Sequence, residues 1–192
     1  MQTRNIMIVG VGGQGTLIAS RILGGIATTA GLDVKVSEVH GMAQRGGSVV
    51  TFVRYGDEVF EPIVEEGCAD VLIAFERLEA KRYAHFLKSD GVLIVNDVRI
   101  DPMPVRIGAA PYPENIIEEI AKTHRVYRAD ATAIATELGN PRCFNVVILG
   151  MAARHMDYAV EDWYKVIERT VKPKTIEINK KAFDAGYALG EA

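Results

Sequence analysis

Apolar runs and amphipathic stretches alternate along most of the chain. Residues 5–9 (NIMIV) have the pattern of a strand covered by helices on both faces. Apolar positions at helical spacing follow over residues 16–29, and the same alternation then recurs. The later strand patterns are residues 70–75, 92–95 and 126–129, and the later helical patterns are residues 76–87, 113–122 and 131–138. This rhythm predicts an α/β fold with a Rossmann-like, mostly parallel sheet.

One part of the chain departs from the β-α rhythm. Residues 33–39 (DVKVSEV) alternate like a strand, and residues 48–54 (SVVTFVR) predict another. Residues 55–57 have the composition of a turn, and residues 58–60 are predicted to pair back onto 48–54. We therefore expect a β-hairpin insertion, an antiparallel piece within the parallel plan.

Three helical stretches finish the chain. Residues 144–156 are apolar nearly all round, which predicts a helix in the interior, and residues 160–170 are amphipathic around Trp163. The last stretch begins at Pro173 and runs to about Leu189. A length of 192 residues with 48% hydrophobic content suits one domain over residues 1–192, closed by C-terminal helices.

Composition narrows the functional classes. The net charge of −3 gives no basic excess for binding nucleic acid, and every apolar run is far shorter than a membrane span. No signal peptide precedes the first strand, so a cytoplasmic location is expected. Cys68 and Cys143 lie far apart, whereas an iron–sulfur cluster needs about four thiolates. We therefore expect no cluster on this chain alone, and we expect the two thiols to be small core residues.

The first glycine loop has the spacing that opens a dinucleotide-binding fold. Gly10-x-Gly12-x-x-Gly15 stands between the first strand and the first helix, where free N–H groups and the positive end of the helix dipole suit an anion. Glu38 follows 23 residues after Gly15, near the place where an acidic residue binds the ribose of NAD. The motif alone is weak, and Glu38 is also interpreted as a residue that fixes the loop after it.

A second glycine loop, residues 40–47 (HGMAQRGG), follows at the same predicted edge of the sheet, where the adenosine half of NAD would lie. Two such loops make a backbone-rich surface that suits a phosphate, a carboxylate or the backbone of another protein. Gln14 either satisfies local backbone groups or contacts a ligand, and Arg45 forms either an interface salt bridge or an anion contact. The candidate residues for an anion, coenzyme A or partner contact are Gly12, Gly13, Gln14, Gly15, Arg45, Gly46 and Gly47.

Other polar residues have more ordinary interpretations. His40 could serve as a general base, but a histidine between a strand and a loop is more often a structural hydrogen-bonding residue. Asn145 lies in the most apolar helix, so its amide should need a hydrogen-bonding partner, for which a nearby loop is the simplest choice. No residue is predicted to be catalytic or to bind a metal.

Three stretches carry a resemblance to a known family. GVGGQG at residues 10–15, SEVHGMAQRGGSVVTFVR at residues 37–54 and NVVILG at residues 145–150 resemble the gamma subunit or domain of the 2-oxoacid:ferredoxin oxidoreductases. The resemblance is closest to the small beta subunit of the indolepyruvate enzymes and covers essentially the whole chain. The pairing of GGQG with QRGGSV, about thirty residues apart, is far more specific than the glycine fingerprint alone.

The resemblance implies a reaction shared with a partner. Such enzymes oxidatively decarboxylate a 2-oxoacid with coenzyme A, giving acyl-CoA, carbon dioxide and reduced ferredoxin. It implies that thiamine diphosphate, magnesium and iron–sulfur clusters lie on a large partner subunit, and that indolepyruvate or another aryl pyruvate is the substrate. This chain would be inactive alone, meet ferredoxin only indirectly, and either form a homodimer in isolation or bind the large subunit tightly.

The sequence agrees with that division, because no Gly-Asp-Gly followed by paired asparagines, the usual diphosphate–magnesium motif of thiamine enzymes, is present. The alternatives are a stand-alone NAD(P)-dependent dehydrogenase and a non-catalytic nucleotide-sensing module. A dehydrogenase would need a separate substrate pocket with a proton donor, and 192 residues leave little chain for one.

Overall fold

A computed structural model describes residues 1–41 and 46–190. Its sheet has six strands in the order β2-β3-β1-β4-β5-β6. The strands are β1 (Arg4–Val11), β2 (Asp33–His40), β3 (Ser48–Gly56), β4 (Ala69–Ala74), β5 (Leu87–Asn96) and β6 (Arg125–Ala129). The strands β1, β4, β5 and β6 pair in parallel, and β3 is antiparallel to both of its neighbours, β1 and β2. The prediction of a Rossmann-like, mostly parallel sheet is confirmed.

The hairpin is formed by different strands from those predicted. Residues 58–60 form no strand, and β3 instead pairs with β2 on one side and with β1 on the other. Both edges of β3 are occupied along nearly its whole length, so no edge is left for residues 58–60 to join. Phe60 accordingly lies 84% exposed, while the backbone N–H of Val59 donates to Asp33 at 2.9 Å.

Helices cover both faces of the sheet. They are α1 (Thr16–Thr29), α2 (Arg77–Tyr83), α3 (Met103–Arg106), α4 (Ile116–Ala121), α5 (Ala131–Glu137), α6 (Phe144–Ala153), α7 (Val160–Thr170) and α8 (Ile176–Leu189). The bounds of α1 and α7 are those predicted, and the Asp130 carboxylate caps α5 by accepting from the N–H of Ala133.

Several other boundaries differ from the prediction. The helix predicted over residues 76–87 ends at Tyr83 and is followed by a short 3-10 turn, Ala84–Phe86. Leu87 already belongs to β5, where it pairs with Ala69 of β4. The helix predicted from Pro113 starts only at Ile116, after Asn115 in a left-handed conformation (φ 53°). The short helix α3 lies in the segment 99–111, between the predicted elements, where the sequence analysis placed no helix.

The sheet separates two hydrophobic cores. One face of the sheet packs against α1, α5, α6, α7 and α8, and the other packs mainly against α2 and α4. In α6, residues Asn145 to Ala153 are all buried, which confirms the prediction of an interior helix there. Cys143 is buried, as expected, whereas Cys68 is only half-buried. Within the described residues, every helix is too short or too polar to cross a membrane.

Candidate functional site at the carboxyl edge of the sheet

The first glycine loop joins β1 to α1 in a conformation that requires glycine. Gly13 and Gly15 have φ angles of +101° and +85°, in the left-handed region that side chains disfavour. The Asn145 amide donates to the Gly15 carbonyl at 3.2 Å, and a Cβ on Gly15 would lie only 2.6 Å from Asn145 Nδ2. Asn145 therefore has the loop partner that its buried position predicts. A Cβ on Gly13 would have no other described atom within 4 Å apart from those of its chain neighbours.

Gln14 connects the ends of two neighbouring strands. Its Oε1 accepts from the N–H of Val11 at 2.6 Å, and its Nε2 donates to the carbonyl of Phe75 at 3.0 Å. Val11 ends β1, and Phe75 follows β4 directly. Both polar atoms of the amide thus satisfy backbone groups, which is the local role considered from the sequence. The side chain holds the loop in place at the position where strands β1 and β4 lie side by side.

The second glycine loop reaches the same edge. The N–H of Gly12 donates to the carbonyl of Gly47 at 2.8 Å, so the two loops are joined directly, as the strand order requires. Gly46 also has a positive φ (+79°) and open space around it. Arg45, together with residues 42–44, lies outside the described residues. The predicted edge thus brings together Gly12, Gly13, Gln14, Gly15, Gly46 and Gly47.

Glu38 is held within the fold. Its Oε2 accepts from the hydroxyls of Thr16 and Thr51, each at 3.2 Å, so the carboxylate connects β2 to α1 and β3. Strand β3 also lies between β2 and β1, and therefore Glu38 belongs to the second strand away from the first glycine loop. The His40 ring lies 3.8 Å from Glu38 and is half-exposed. These contacts favour the structural interpretation of both residues.

Two buried carboxylates anchor the second loop, and the sequence analysis did not identify either. Glu79 accepts from the Ser48 hydroxyl and from Arg82, and Glu76 accepts from the N–H of Glu79 at 3.0 Å and from Tyr112. Burial raises the pKa of Glu79, and the hydrogen bond from Ser48 and the Arg82 charge oppose that increase. Ser48 directly follows Gly47, so this network positions the end of the loop. The acidic pair at the start of α2 was the only signal in the sequence.

A cleft of about 620 Å³ opens beside the first glycine loop. It lies within the size range of small-molecule sites, and its walls are mainly apolar. The sequence analysis had singled out four of its residues, Gly13, Gln14, Gly15 and Asn145, but not the others. The remaining lining residues are Ile18, Val98, Ile100, Thr132, Pro141, Arg142 and Phe144. They come from loops and helices far apart in the chain, which a sequence pattern cannot bring together.

The sequence of residues 5–189 matches the family model described as pyruvate ferredoxin/flavodoxin oxidoreductase. The chain belongs to this family. The resemblance drawn from the glycine loops is thereby confirmed.

The relatives within the pyruvate ferredoxin/flavodoxin oxidoreductase family match nearly the whole chain. The Archaeoglobus fulgidus protein named indolepyruvate oxidoreductase subunit IorB is 46% identical over 188 residues, covering 95% of this chain and 93% of the relative. The Pyrococcus horikoshii protein of the same name is 42% identical, covering 97% and 95%. The crystal structure of the pyruvate oxidoreductase subunit PORC from Thermotoga maritima superposes with a TM-score of 0.72 at 27% identity, covering 98% and 97%.

The residues of this family member do not fit an iron–sulfur cluster. The chain has two cysteines, and neither is in a disulfide. In the part of the chain that the structure describes, no three His, Cys, Asp or Glu residues are grouped so that they could hold a metal ion. An iron–sulfur cluster held by about four thiolates would need more cysteines than the two of this chain.

Proposed function

We propose that this chain is the small subunit of an indolepyruvate:ferredoxin oxidoreductase, which converts indolepyruvate or another aryl pyruvate with coenzyme A to acyl-CoA, carbon dioxide and reduced ferredoxin. The observation that carries the proposal is the match of 42–46% identity, over nearly the full length, to chains named for indolepyruvate. The solved subunit named for pyruvate is 27% identical. The chain is inactive alone because the reaction needs groups that it does not hold.

In this proposal a large partner subunit carries thiamine diphosphate, magnesium and the iron–sulfur clusters, and ferredoxin receives electrons from that subunit. The support is the ligand inventory of this chain, with two cysteines and without the diphosphate–magnesium motif. We place the complex in the cytoplasm, where unpaired thiols such as those of Cys68 and Cys143 persist.

The carboxyl edge is the surface through which this chain contributes to the complex. Gly12, Gly13, Gln14, Gly15, Arg45, Gly46 and Gly47 contact the large subunit or line the approach of coenzyme A. Three features support the assignment. There is open space around Gly13 and Gly46, and the hydrogen bond from Gly12 to Gly47 joins the two loops. The N-terminus of α1 also has no hydrogen bond from a capping side chain. The first N–H groups of a helix have no partner inside it, so they can bind a phosphate, a carboxylate or a carbonyl of the partner.

The test is Gly13→Val in the complex formed when this chain is co-expressed with its large partner subunit. The control is Gly31→Val, because Gly31 has a similar positive φ (+79°) and open space but follows the opposite end of α1. Both substitutions impose backbone strain of about 1–2 kcal/mol. We expect the two variants to lose similar amounts of thermal stability. Only Gly13→Val should reduce co-purification with the large subunit, or the rate of dye reduction with indolepyruvate as substrate, by about tenfold.

Wild-type assembly and turnover by the Gly13→Val complex would place the functional surface elsewhere. The same assay run with pyruvate tests the substrate, because faster turnover of pyruvate than of indolepyruvate would contradict the aryl pyruvate assignment and leave the family unchanged.

A further inference from the structure

The sheet ends on two edge strands that differ in how they are protected. Strand β6 is five residues long and carries Arg125 and Arg128, and short edges with charged side chains resist pairing with other chains. Strand β2 is eight residues long and pairs with β3 without a bulge. Within residues 1–41 and 46–190, no strand pairs with its other side. The outer backbone N–H and C=O groups of β2 are therefore available to a further strand.

The charged side chains of β2 do not protect this edge. The Lys35 ammonium group donates to both carboxylate oxygens of Asp33, at 2.6 and 2.8 Å. The Glu38 carboxylate accepts from two threonine hydroxyls of α1 and β3. These charges are thus directed toward neighbours in the same chain. The apolar Val36 and Val39, by contrast, are 46% and 54% exposed.

Phe60 is a further exposed apolar side chain, and it lies beside the start of β2. The N–H of the residue before it donates to the Asp33 carboxylate at 2.9 Å. Arg54 holds the residues after it by donating to the carbonyls of Glu61 and Ile63 at 3.0 and 2.9 Å. The segment is therefore anchored on both sides of Phe60 while its ring stays in water. A contact that covered this ring would remove apolar surface from water.

A second copy of the same strand fits the β2 edge. Two identical strands pair antiparallel about a two-fold axis perpendicular to the sheet, and one residue lies on the axis because directly opposite residues share a face. An axis at Lys35 or Glu38 would set like charges opposite each other, which destabilises a strand pair. Axes nearer the ends of β2 pair fewer residues. Of the two remaining positions, Val36 and Ser37, only Val36 sets apolar side chains opposite each other across the edge.

The register with Val36 on the axis also gives Phe60 a partner. In that register, Asp33 of one copy lies opposite Val39 of the other, and both side chains are on the same face. Because the Asp33 side chain is bonded to the residue before Phe60, the ring of each copy comes to lie beside the exposed Val39 of the other. The symmetry repeats this contact, so that Val36, Val39 and Phe60 are covered in both copies.

We propose that this chain forms a two-fold dimer in which β2 pairs antiparallel with β2 of a second copy, so that the two sheets become one. The backbone hydrogen bonds between the strands give affinity, and Val36, Val39 and Phe60 give the apolar contact. The first glycine loop begins at the end of β1, two strands away from this edge, and remains open to the large subunit. The dimer surface is thus a second interface, beyond the one in the proposed function.

Oxidative cross-linking of Val36→Cys tests the register. Directly opposite residues of an antiparallel pair have Cα atoms about 4.5–5.5 Å apart, which is within the range of a disulfide. Cys68 is first replaced by serine, because it is only half-buried. We expect Val36→Cys to form covalent dimers at least about tenfold faster than Val39→Cys, whose two copies would lie about 20 Å apart.

Light scattering of the purified full chain measures the dimer without cross-linking, and we expect the mass of two chains. Val36→Lys sets two positive charges on the axis, and Phe60→Ser leaves the strand unchanged. Each should raise the dissociation constant of the dimer at least about tenfold. The control is Ile107→Lys, an exposed apolar residue that follows α3 and lies away from β2, and it should stay dimeric. Circular dichroism melting verifies that the variants remain folded.

A monomeric wild-type chain would overturn the proposal, as would cross-linking of Val39→Cys at the rate of Val36→Cys. If the chain is a monomer and Val36→Lys instead reduces co-purification with the large subunit, the edge pairs with a strand of that subunit. The cross-link should also form in the co-expressed complex, and its loss there would contradict the proposal. The Gly13→Val experiment measures contact at the first glycine loop, so the dimer and the proposed function can fail independently.

Discussion

Glu79 connects the second glycine loop to helix α2 through a buried carboxylate. The side chain is 4% exposed, and its partners are the hydroxyl of Ser48 at the start of β3 and the guanidinium of Arg82 one turn along α2. The neighbouring Glu76 carboxylate adds a like charge that raises the pKa of Glu79 further. A buried acid with a raised pKa costs stability when it ionises, so its presence at the loop gives this edge a dependence on pH.

We expect Glu79→Gln to gain stability relative to the wild type as the pH rises. The pKa of Glu79 in the folded chain lies above its usual 4.5, so the unfolded chain loses this proton first, and the wild type loses stability as the pH rises above that value. Glutamine cannot ionise, but it still accepts from Ser48. Urea unfolding at about pH 4 and about pH 7 measures the difference in the free energy of unfolding.

Glu118→Gln is the control for this prediction, because a backbone hydrogen bond and the hydrogen bond from Arg128 lower the pKa of that exposed carboxyl. Its carboxylate favours the folded state above its usual pKa, so Glu118→Gln should instead lose stability relative to the wild type as the pH rises. A pH-independent difference for Glu79→Gln would show that its ionisation is not coupled to folding.

At the scale of elements, helices α6 and α8 pack through glycine. A Cβ on Gly150 would overlap the carbonyl of Phe183, and a Cβ on Gly186 would overlap the carbonyl of Val147. These close approaches place the backbones of the two helices in direct contact, and Trp163 and Phe183 fill the space beside them. The absence of side chains at two positions therefore sets the distance between the helices.

Gly186→Ala should lower the free energy of unfolding by about 1–3 kcal/mol, because the added methyl group meets backbone rather than a flexible side chain. Gly24→Ala is the matched comparison, since Gly24 is also helical but its Cβ would lie 3.6 Å from the side chains of Val34 and Val36. That substitution should raise stability by up to about 1 kcal/mol through helix propensity. Denaturant unfolding measures the free energy of unfolding of both variants. If Gly186→Ala stabilised the chain as much as Gly24→Ala, α6 and α8 could move apart without a loss of stability.

At the scale of the whole molecule, the position of β3 changes what the glycine fingerprint can bind. In a dinucleotide-binding fold the strand with the acidic residue pairs directly with β1, whereas in this sheet β3 pairs there. Neighbouring strands are about 4.8 Å apart, so the strand of Glu38 is displaced by that distance from the expected place. The Glu38 carboxylate is also bonded to Thr16 and Thr51. The glycine fingerprint thus retains the tight turn and the helix N-terminus of a dinucleotide site. The strand that would carry the acidic ribose ligand, however, does not lie next to β1.

We therefore expect NAD and NADP to bind this chain with dissociation constants above about 1 mM, a free energy weaker than about 4 kcal/mol. Calorimetry of the purified chain measures this, with Glu38→Ala as the control. Micromolar binding of NAD that Glu38→Ala abolishes would restore the dehydrogenase or nucleotide-sensing alternative.

The sequence by itself determined most of the local structure. Among the described residues, apolar runs and helical spacing identified all six strands and seven of the eight α-helices, because burial on one or both faces imposes a period that the chain must follow. The one strand predicted in error is residues 58–60. Two glycine-rich segments, GGQG and QRGGSV, carried the family. Because Asn145 lies in an apolar helix, its side-chain amide was also predicted to need a hydrogen-bonding partner, and that partner is the carbonyl of Gly15.

Tertiary structure decided which elements became neighbours. The sequence contained the strand patterns of residues 33–39 and 48–54, but it did not show that β3 would pair with both β1 and β2, because strand pairing depends on partners distant in the chain. For the same reason, the sequence could not predict the hydrogen bond between Gly12 and Gly47 or the burial of Glu79. It also could not predict that Arg142 lies beside the first glycine loop. A cleft is made of surfaces that approach one another only when the sheet and its helices have packed, so its chemistry is a property of the fold.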